Sequence, residues 1–149
     1  MQTQTVEVYI NVAQDAESKL YDGEPKFTGA YLLRALDANG AVLHEAQVTL
    51  ETLDVPTSDY ARLLVLAAAL ERLHTKLRGD QAGYALRVVQ SSNNVDGWLS
   101  RGWKRNTDKV KELAGAVDNL LKPFQRREFV KLPRAELEAA MGEKEVMPA

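Results

Sequence analysis

The chain contains no cysteine, which excludes a disulfide framework and any thiolate metal site. Its only histidines, His44 and His74, have no spaced Cys, His or acidic partner, so both are read as structural rather than as metal ligands. The nine glycines are scattered, with no Gly-x-Gly pair and no Gly-x-Ser-x-Gly elbow, which removes glycine-rich phosphate loops and the hydrolase nucleophile turn. No apolar run is long enough to cross a bilayer, so no membrane partner is expected. Met1–Thr5 has neither a basic start nor an apolar stretch, so no secretory signal is read and a cytoplasmic location is expected.

What is present suits one globular domain. The 149 residues are 45% hydrophobic and 27% charged, enough for one substantial core, and no repeat, low-complexity tract or long linker divides 1–149. The net charge of −2 hides an asymmetry. Residues 1–100 carry 8 Lys and Arg against 13 Asp and Glu, residues 101–134 carry 10 against 4, and residues 135–149 carry 1 against 4. A locally basic third attracts polyanions even in a slightly acidic chain.

Thr5–Val12 alternates, with Val6, Val8 and Ile10 on one side and Glu7 and Tyr9 on a wetter one, which is a strand pattern. The polar stretch Ala13–Lys26, with Asp22-Gly23 and Pro25, reads as a long loop. Phe27–Leu36 and Ala41–Leu50 are two further strands. Asp37-Ala38-Asn39-Gly40 joins them, and Asn-Gly is a hairpin signal because both residues tolerate positive φ. A helix opens after Pro56, capped by Thr57 or Ser58, and runs to about Leu77. Its unbroken apolar run Leu63–Leu70 marks a central helix buried on more than one side. A short strand Ala85–Ser91, a helix Asn93–Ser100, a helix Asp108–Leu121 ended by Pro123, a strand Phe124–Leu132 and a helix Arg134–Gly142 follow. The tail Glu143–Ala149 is expected to fray. Three strands in a meander, then strand–helix crossovers, predict an α/β domain with a mixed five-stranded sheet flanked by helices.

That order resembles the ribonuclease H fold, and three segments carry the resemblance. Thr57–Leu70 (TSDYARLLVLAAAL) is similar to the family's central-helix motif. Gln90–Lys104 (QSSNNVDGWLSRGWK) is similar to its Asp-Ser-Gln motif with the following helix and Trp-Lys. Phe129–Arg134 (FVKLPR) is similar to its last strand and Val-Pro-Arg. The family cleaves the RNA of an RNA/DNA hybrid with two Mg²⁺ ions, which need several anionic oxygens converging from different elements. The resemblance places those acidic positions on Asn11, Arg62 and Ser92. The fourth falls on Met141, or on Glu136 or Glu138 if the last loop is shortened. The family's histidine before the last helix has no counterpart. Arg62 sets a positive charge where cations would sit, so the expectation is a pseudo-nuclease with no catalytic set intact and no metal. Rescue would need Asp15, Asp59 or Asp96 to turn inward; only then would Mg²⁺ be the cofactor of an active, relocated site. The same alignment predicts that Arg62 lies near Asn11 and Ser92 in space.

The basic segment is the strongest remaining signal. Arg101, Lys104 and Arg105 flank Trp103, and Lys109 and Lys111 follow. Such residues suit phosphates, with Trp103 stacking on a base or sugar, and the family grips its duplex in this region. The bland alternative is a solvated loop anchored by its tryptophan; Trp98 is assigned to the core. Arg126, Arg127, Lys131 and Arg134 make no assured basic face, because Arg126 and Lys131 have opposite strand parity, and charges also protect an edge strand. Ser91–Asn94, a polar run at a strand end, is read as a helix cap. The expected partner is nucleic acid, an RNA/DNA hybrid or a single strand; the competing expectation is a protein partner on a scaffold that keeps only the fold.

Overall fold

The structure is a computed structural model that describes residues 4–14, 26–105 and 107–142, with the backbone alone at 51–54. Ten elements follow in order: β1 Gln4–Gln14, β2 Lys26–Leu36, β3 Val42–Asp54, α1 Ser58–Leu77, a 3₁₀ turn Gln81–Gly83, β4 Tyr84–Gln90, α2 Asn93–Ser100, α3 Asp108–Leu121, β5 Arg126–Lys131 and α4 Arg134–Met141. The sheet order is β3-β2-β1-β4-β5. The first three strands run antiparallel, and β4 and β5 lie parallel to β1. This is the mixed sheet that the sequence predicts.

Several boundaries differ, each for a local reason. β3 continues to Asp54 instead of stopping at Leu50, because Lys26 and Phe27 of β2 still offer it partners beyond a register shift. β5 begins at Arg126, and Phe124 is instead buried in the turn before it, its amide bonded to the Leu121 carbonyl at 3.0 Å. At the β2–β3 turn only Gly40 takes a positive φ, of 84°. Asp37 Oδ1 holds the turn by accepting from the amides of Asn39 and Ala41 at 2.8 and 2.9 Å. The 3₁₀ turn has no sequence signal; Gln81 is buried there, its Nε2 2.6 Å from His74 Nδ1, which gives His74 the structural part expected of it. Asp15 and the tail Glu143–Ala149 lie outside the described residues.

The two faces of the sheet are covered differently. Val6, Val8, Ile10 and Val12 point to the face where Leu63, Leu66, Ala69 and Leu70 of α1 and Ala114, Val117 and Leu121 of α3 complete an apolar core. Trp98 packs against it, as assigned. On the other face Tyr9, Ala30, Leu32 and Val89 meet Leu137 and Met141 of the two-turn α4. The face read as wetter is largely closed: Glu7 and Tyr9 are buried. There the strand register aligns Glu45, Arg34, Glu7, Arg87 and Glu128, one from each strand, as a row of alternating charge. Arg34 pairs with Glu45, and Arg87 with both Glu7 and Glu128. A buried carboxylate such as Glu7 is tolerable only with partners of this kind; it also accepts from the Tyr9 hydroxyl at 3.0 Å.

Candidate functional site

The sheet ends where β1 and β4 terminate are the usual ligand-binding edge of an α/β fold. At that edge Thr57 caps α1 by accepting from the Tyr60 amide, and Ser92 caps α2 by accepting from the Val95 amide. The cap predicted at Ser91–Asn94 is therefore formed, by Ser92. Gln90 fixes the approach, its Oε1 accepting from the Ser92 amide at 2.6 Å and its Nε2 donating to the Ser92 carbonyl at 2.8 Å.

The starts of α1 and α2 are joined at Asp59. Its Oδ1 accepts from Arg62 Nη1 at 2.9 Å and from Ser92 Oγ at 2.6 Å, and its Oδ2 accepts from Asn94 Nδ2 at 2.9 Å. Arg62 also donates to Ser58 Oγ at 3.2 Å. Arg62 and Ser92 thus stand together as the alignment predicts, but around a carboxylate three residues before the expected helix position. Asn11 belongs to a second group. It lines a cavity of about 470 Å³ with Thr28, Ala30, Arg134, Glu138 and Met141, a lining that includes neither Arg62 nor Ser92. Arg134 donates from Nε to Glu138 Oε1 at 2.8 Å and from Nη2 to the Val12 carbonyl at 3.0 Å. The Asn11 Oδ1 is buried there without a hydrogen-bond partner.

Among the described residues, the acids proposed as substitutes do not converge. Asp96 faces the far end of α2, accepting from Ser100 Oγ at 3.1 Å and pairing with Arg101 at 3.2 Å. Glu136 is exposed in the first turn of α4, and Glu138 is paired with Arg134. Met141 is buried under α4. Among the described residues no three of His, Cys, Asp and Glu cluster as metal ligands do. The donors among the described residues do not fit two Mg²⁺ ions: both Asp59 oxygens are engaged, Asn11 is neutral, and two guanidinium groups stand beside them.

In the α2–α3 connection Trp103 lies against Gly97, whose amide carbonyl accepts from the Trp103 amide at 2.9 Å. A Cβ on Gly97 would come within 2.0 Å of Trp103 Cε3, so only glycine admits the ring there. Trp103 is nonetheless 44% exposed, and the Arg101 guanidinium lies 5.8 Å from its ring centroid. Lys104 and Lys109 are exposed. Arg105 is turned inward, donating to the Trp98 carbonyl at 3.0 Å and pairing with Asp118 at 2.9 Å. Lys131, at the end of β5, donates to Asn93 Oδ1. Arg134 was visible in the sequence as part of a basic stretch and of the Val-Pro-Arg-like segment; its contact with β1 was not.

No protein-family model and no curated protein sequence matches the chain. Solved structures do. It is similar to the ribonuclease H1 of the halophilic archaeon Halobacterium salinarum NRC-1, at 20% identity and a TM-score of 0.65 over 90% of this chain and 89% of that one. It is similar to a ribonuclease H1 isolated from compost and solved with an RNA/DNA hybrid, at 17% identity and a TM-score of 0.66 over 95% and 96% of the two chains. The N-terminal ribonuclease H domain of a Mycobacterium tuberculosis protein follows at 19% identity and a TM-score of 0.61, over 89% and 90%. The chain therefore has the ribonuclease H-like fold. At these identities the likeness concerns the fold. No helix among the described residues is long and apolar enough to cross a membrane.

Proposed function

We propose that this ribonuclease H-like domain binds nucleic acid through the Arg101–Lys109 segment and does not cut it by two-metal hydrolysis. The observation that carries the reading is a contrast between two sets of side chains. Around Asp59 and Asn11 the positions that would hold cations are neutral, positive or engaged. In the α2–α3 connection Trp103 stays exposed on its glycine seat, beside exposed Arg101 and Lys104. Exposed cations neutralise phosphates and release counterions, and an anchored aromatic offers a stacking surface at low entropic cost. Arg105 supports this surface by fixing the loop. The compost enzyme solved with an RNA/DNA hybrid makes a hybrid the first ligand to test.

Fluorescence anisotropy with a labelled RNA/DNA hybrid and with single strands, across a salt series, tests the binding. Affinity that falls steeply with salt, and by about tenfold on Trp103→Ala as a lost stacking contact predicts, is the expected result. No affinity even at low salt would overturn it and favour the scaffold reading. Incubation with hybrid in Mg²⁺ or Mn²⁺ should leave the RNA intact. Cleavage that disappears on Asp15→Asn or Asp96→Asn would instead establish a relocated metal site.

A further inference from the structure

We infer that the free edge of β3 is a docking site for an extended segment of a partner protein. The segment adds a strand antiparallel to β3, places an aliphatic side chain in the cavity beneath the end of α1 and sets a basic residue opposite Glu45. The site lies where β1 begins, at the end of the sheet away from Asp59 and Ser92, so it stands independently of the proposed nucleic-acid contact.

Three observations converge, and the first is the strand itself. β3 is an outer strand of the sheet, and among the described residues no strand pairs with its far side. Between its two register shifts His44–Leu50 pairs regularly with β2, and it contains no proline, lysine or arginine. Such an edge offers a row of backbone donors and acceptors with few of the devices that discourage pairing. β5, the opposite edge, is the contrast: it is short, and Arg126, Arg127, Glu128 and Lys131 guard it. At the start of β3 the apolar side chains of Val42 and Leu43 are exposed as well.

The second is the cavity. Of about 110 Å³, it runs from Val6 of β1 and Leu33 of β2 to Ala46 of β3, under Leu73 and Leu77 of α1. An apolar cavity of this kind offers water too few partners and takes an apolar guest instead. The register sends Leu33 and Ala46 to the side of the sheet that α1 covers, so every second side chain of a strand added beyond β3 points under α1. His44 and Ala46 are the β3 residues in the lining, and the alanine leaves the more room, so the guest side chain belongs opposite Ala46.

The third is charge. In the row across the sheet Arg87 has an acid on either side, whereas Glu45 ends the row with Arg34 on one side alone. Its side chain is 48% exposed, and Arg34 engages only Oε2. A cation directly across from it on an added strand continues the alternation, as cross-strand pairs of opposite charge favour. Glu45 and Ala46 are neighbours on opposite faces, so the aliphatic and basic residues of the partner are neighbours too. In the antiparallel mode, the more stable of the two, the partner reads aliphatic and then basic from its N-terminal side.

The test uses the full chain and a fluorescently labelled synthetic peptide, Val-Thr-Leu-Arg-Val-Thr, whose leucine falls opposite Ala46 and whose arginine falls opposite Glu45. Anisotropy should show saturable binding, and NMR spectra of the ¹⁵N-labelled chain should show shifts at the amides of His44–Val48 and Leu77. Replacing the peptide leucine by alanine should weaken binding about tenfold, as the loss of one buried aliphatic side chain predicts. Ala46→Leu, which fills the cavity from within, should abolish binding. Glu45→Lys should weaken the original peptide severalfold and prefer a peptide with glutamate in place of arginine. That charge exchange carries the test if Ala46→Leu disturbs the fold. Absence of binding, or binding indifferent to both substitutions, overturns the docking site. Sedimentation of the chain without peptide checks the other occupant: self-association that Ala46→Leu abolishes would assign the edge to a second copy and overturn the partner proposed.

Discussion

The two faces of the sheet are built on different physics. The face under α1 and α3 is closed by aliphatic and aromatic side chains, and Leu63, Leu66, Val65, Ala69 and Ala114 are wholly buried. The face under α4 mixes a small apolar patch with a five-strand row of alternating charge, and it holds three buried polar atoms without partners, Asn11 Oδ1, Gln47 Nε2 and Thr49 Oγ1. One face has area to resist a change; the other already tolerates polar groups and cavities. Chemistry at a site that borders both can therefore be altered on the α4 side with little loss to the fold. That is where Arg134 and Asn11 lie.

The largest expected effect breaks the contrast directly. Leu66→Ala should lower global stability by about 2–5 kcal/mol in urea denaturation, because α1 and the sheet cannot collapse into the space. Leu137→Ala is equally buried, yet its loss is limited to the docking free energy of a two-turn helix. Hydrogen exchange should speed up in α4 and leave α1 protected; an equal global loss in both variants would dissolve the distinction between faces.

Asp59→Ala should come next, at about 3 kcal/mol, since it strands the nearly buried Arg62 guanidinium and frees Ser92 and Asn94 together. Restoration by Arg62→Met in the Asp59→Ala background, read from the denaturation midpoint, checks that the buried charge is the cause. Glu7→Gln should cost about 1–3 kcal/mol, as one acceptor oxygen is left for the two donors, Arg87 and the Tyr9 hydroxyl, and the buried charge that pairs with Arg87 is lost.

The smallest effect is a pH dependence. Burial, then the Glu7 charge and the hydrogen bond to it, raise the Tyr9 phenol above its ordinary value of 10.0. A raised folded pKa contributes stability that is complete below the unfolded value and is lost as pH climbs through the folded one. Stability should thus fall from about pH 10 upward, and Tyr9→Phe should flatten that part of the profile. A profile unchanged by the substitution would remove Tyr9 from the alkaline transition.

Element order was legible because two periods report it. The alternation Val6-Val8-Ile10-Val12 and the run Leu63–Leu70 bury apolar atoms only if the first is a strand and the second a helix with two covered sides. The candidate site was legible in part. Resemblance pointed to Asn11, Arg62 and Ser92, and the last two do meet. Nothing local announced that Asp59 would gather them, because that depends on bringing together residues 33 and 35 positions apart. Gly97 and Trp103 stood in plain view as letters, but the ring's seat on a missing side chain is a contact, not a pattern.

What the sequence determined alone is therefore a domain of alternating and helical segments, with basic charge concentrated in residues 101–134 and Asn11, Arg62 and Ser92 at the positions that the resemblance assigns to metal-binding acids. Only the tertiary structure decided where those charges act. It laid Glu45, Arg34, Glu7, Arg87 and Glu128 in one row through strand register, and it set Arg134 against the Val12 carbonyl across 122 residues. The reason is physical. Periodicity encodes which face of an element is buried, whereas a charge takes its meaning from the partners that folding puts beside it.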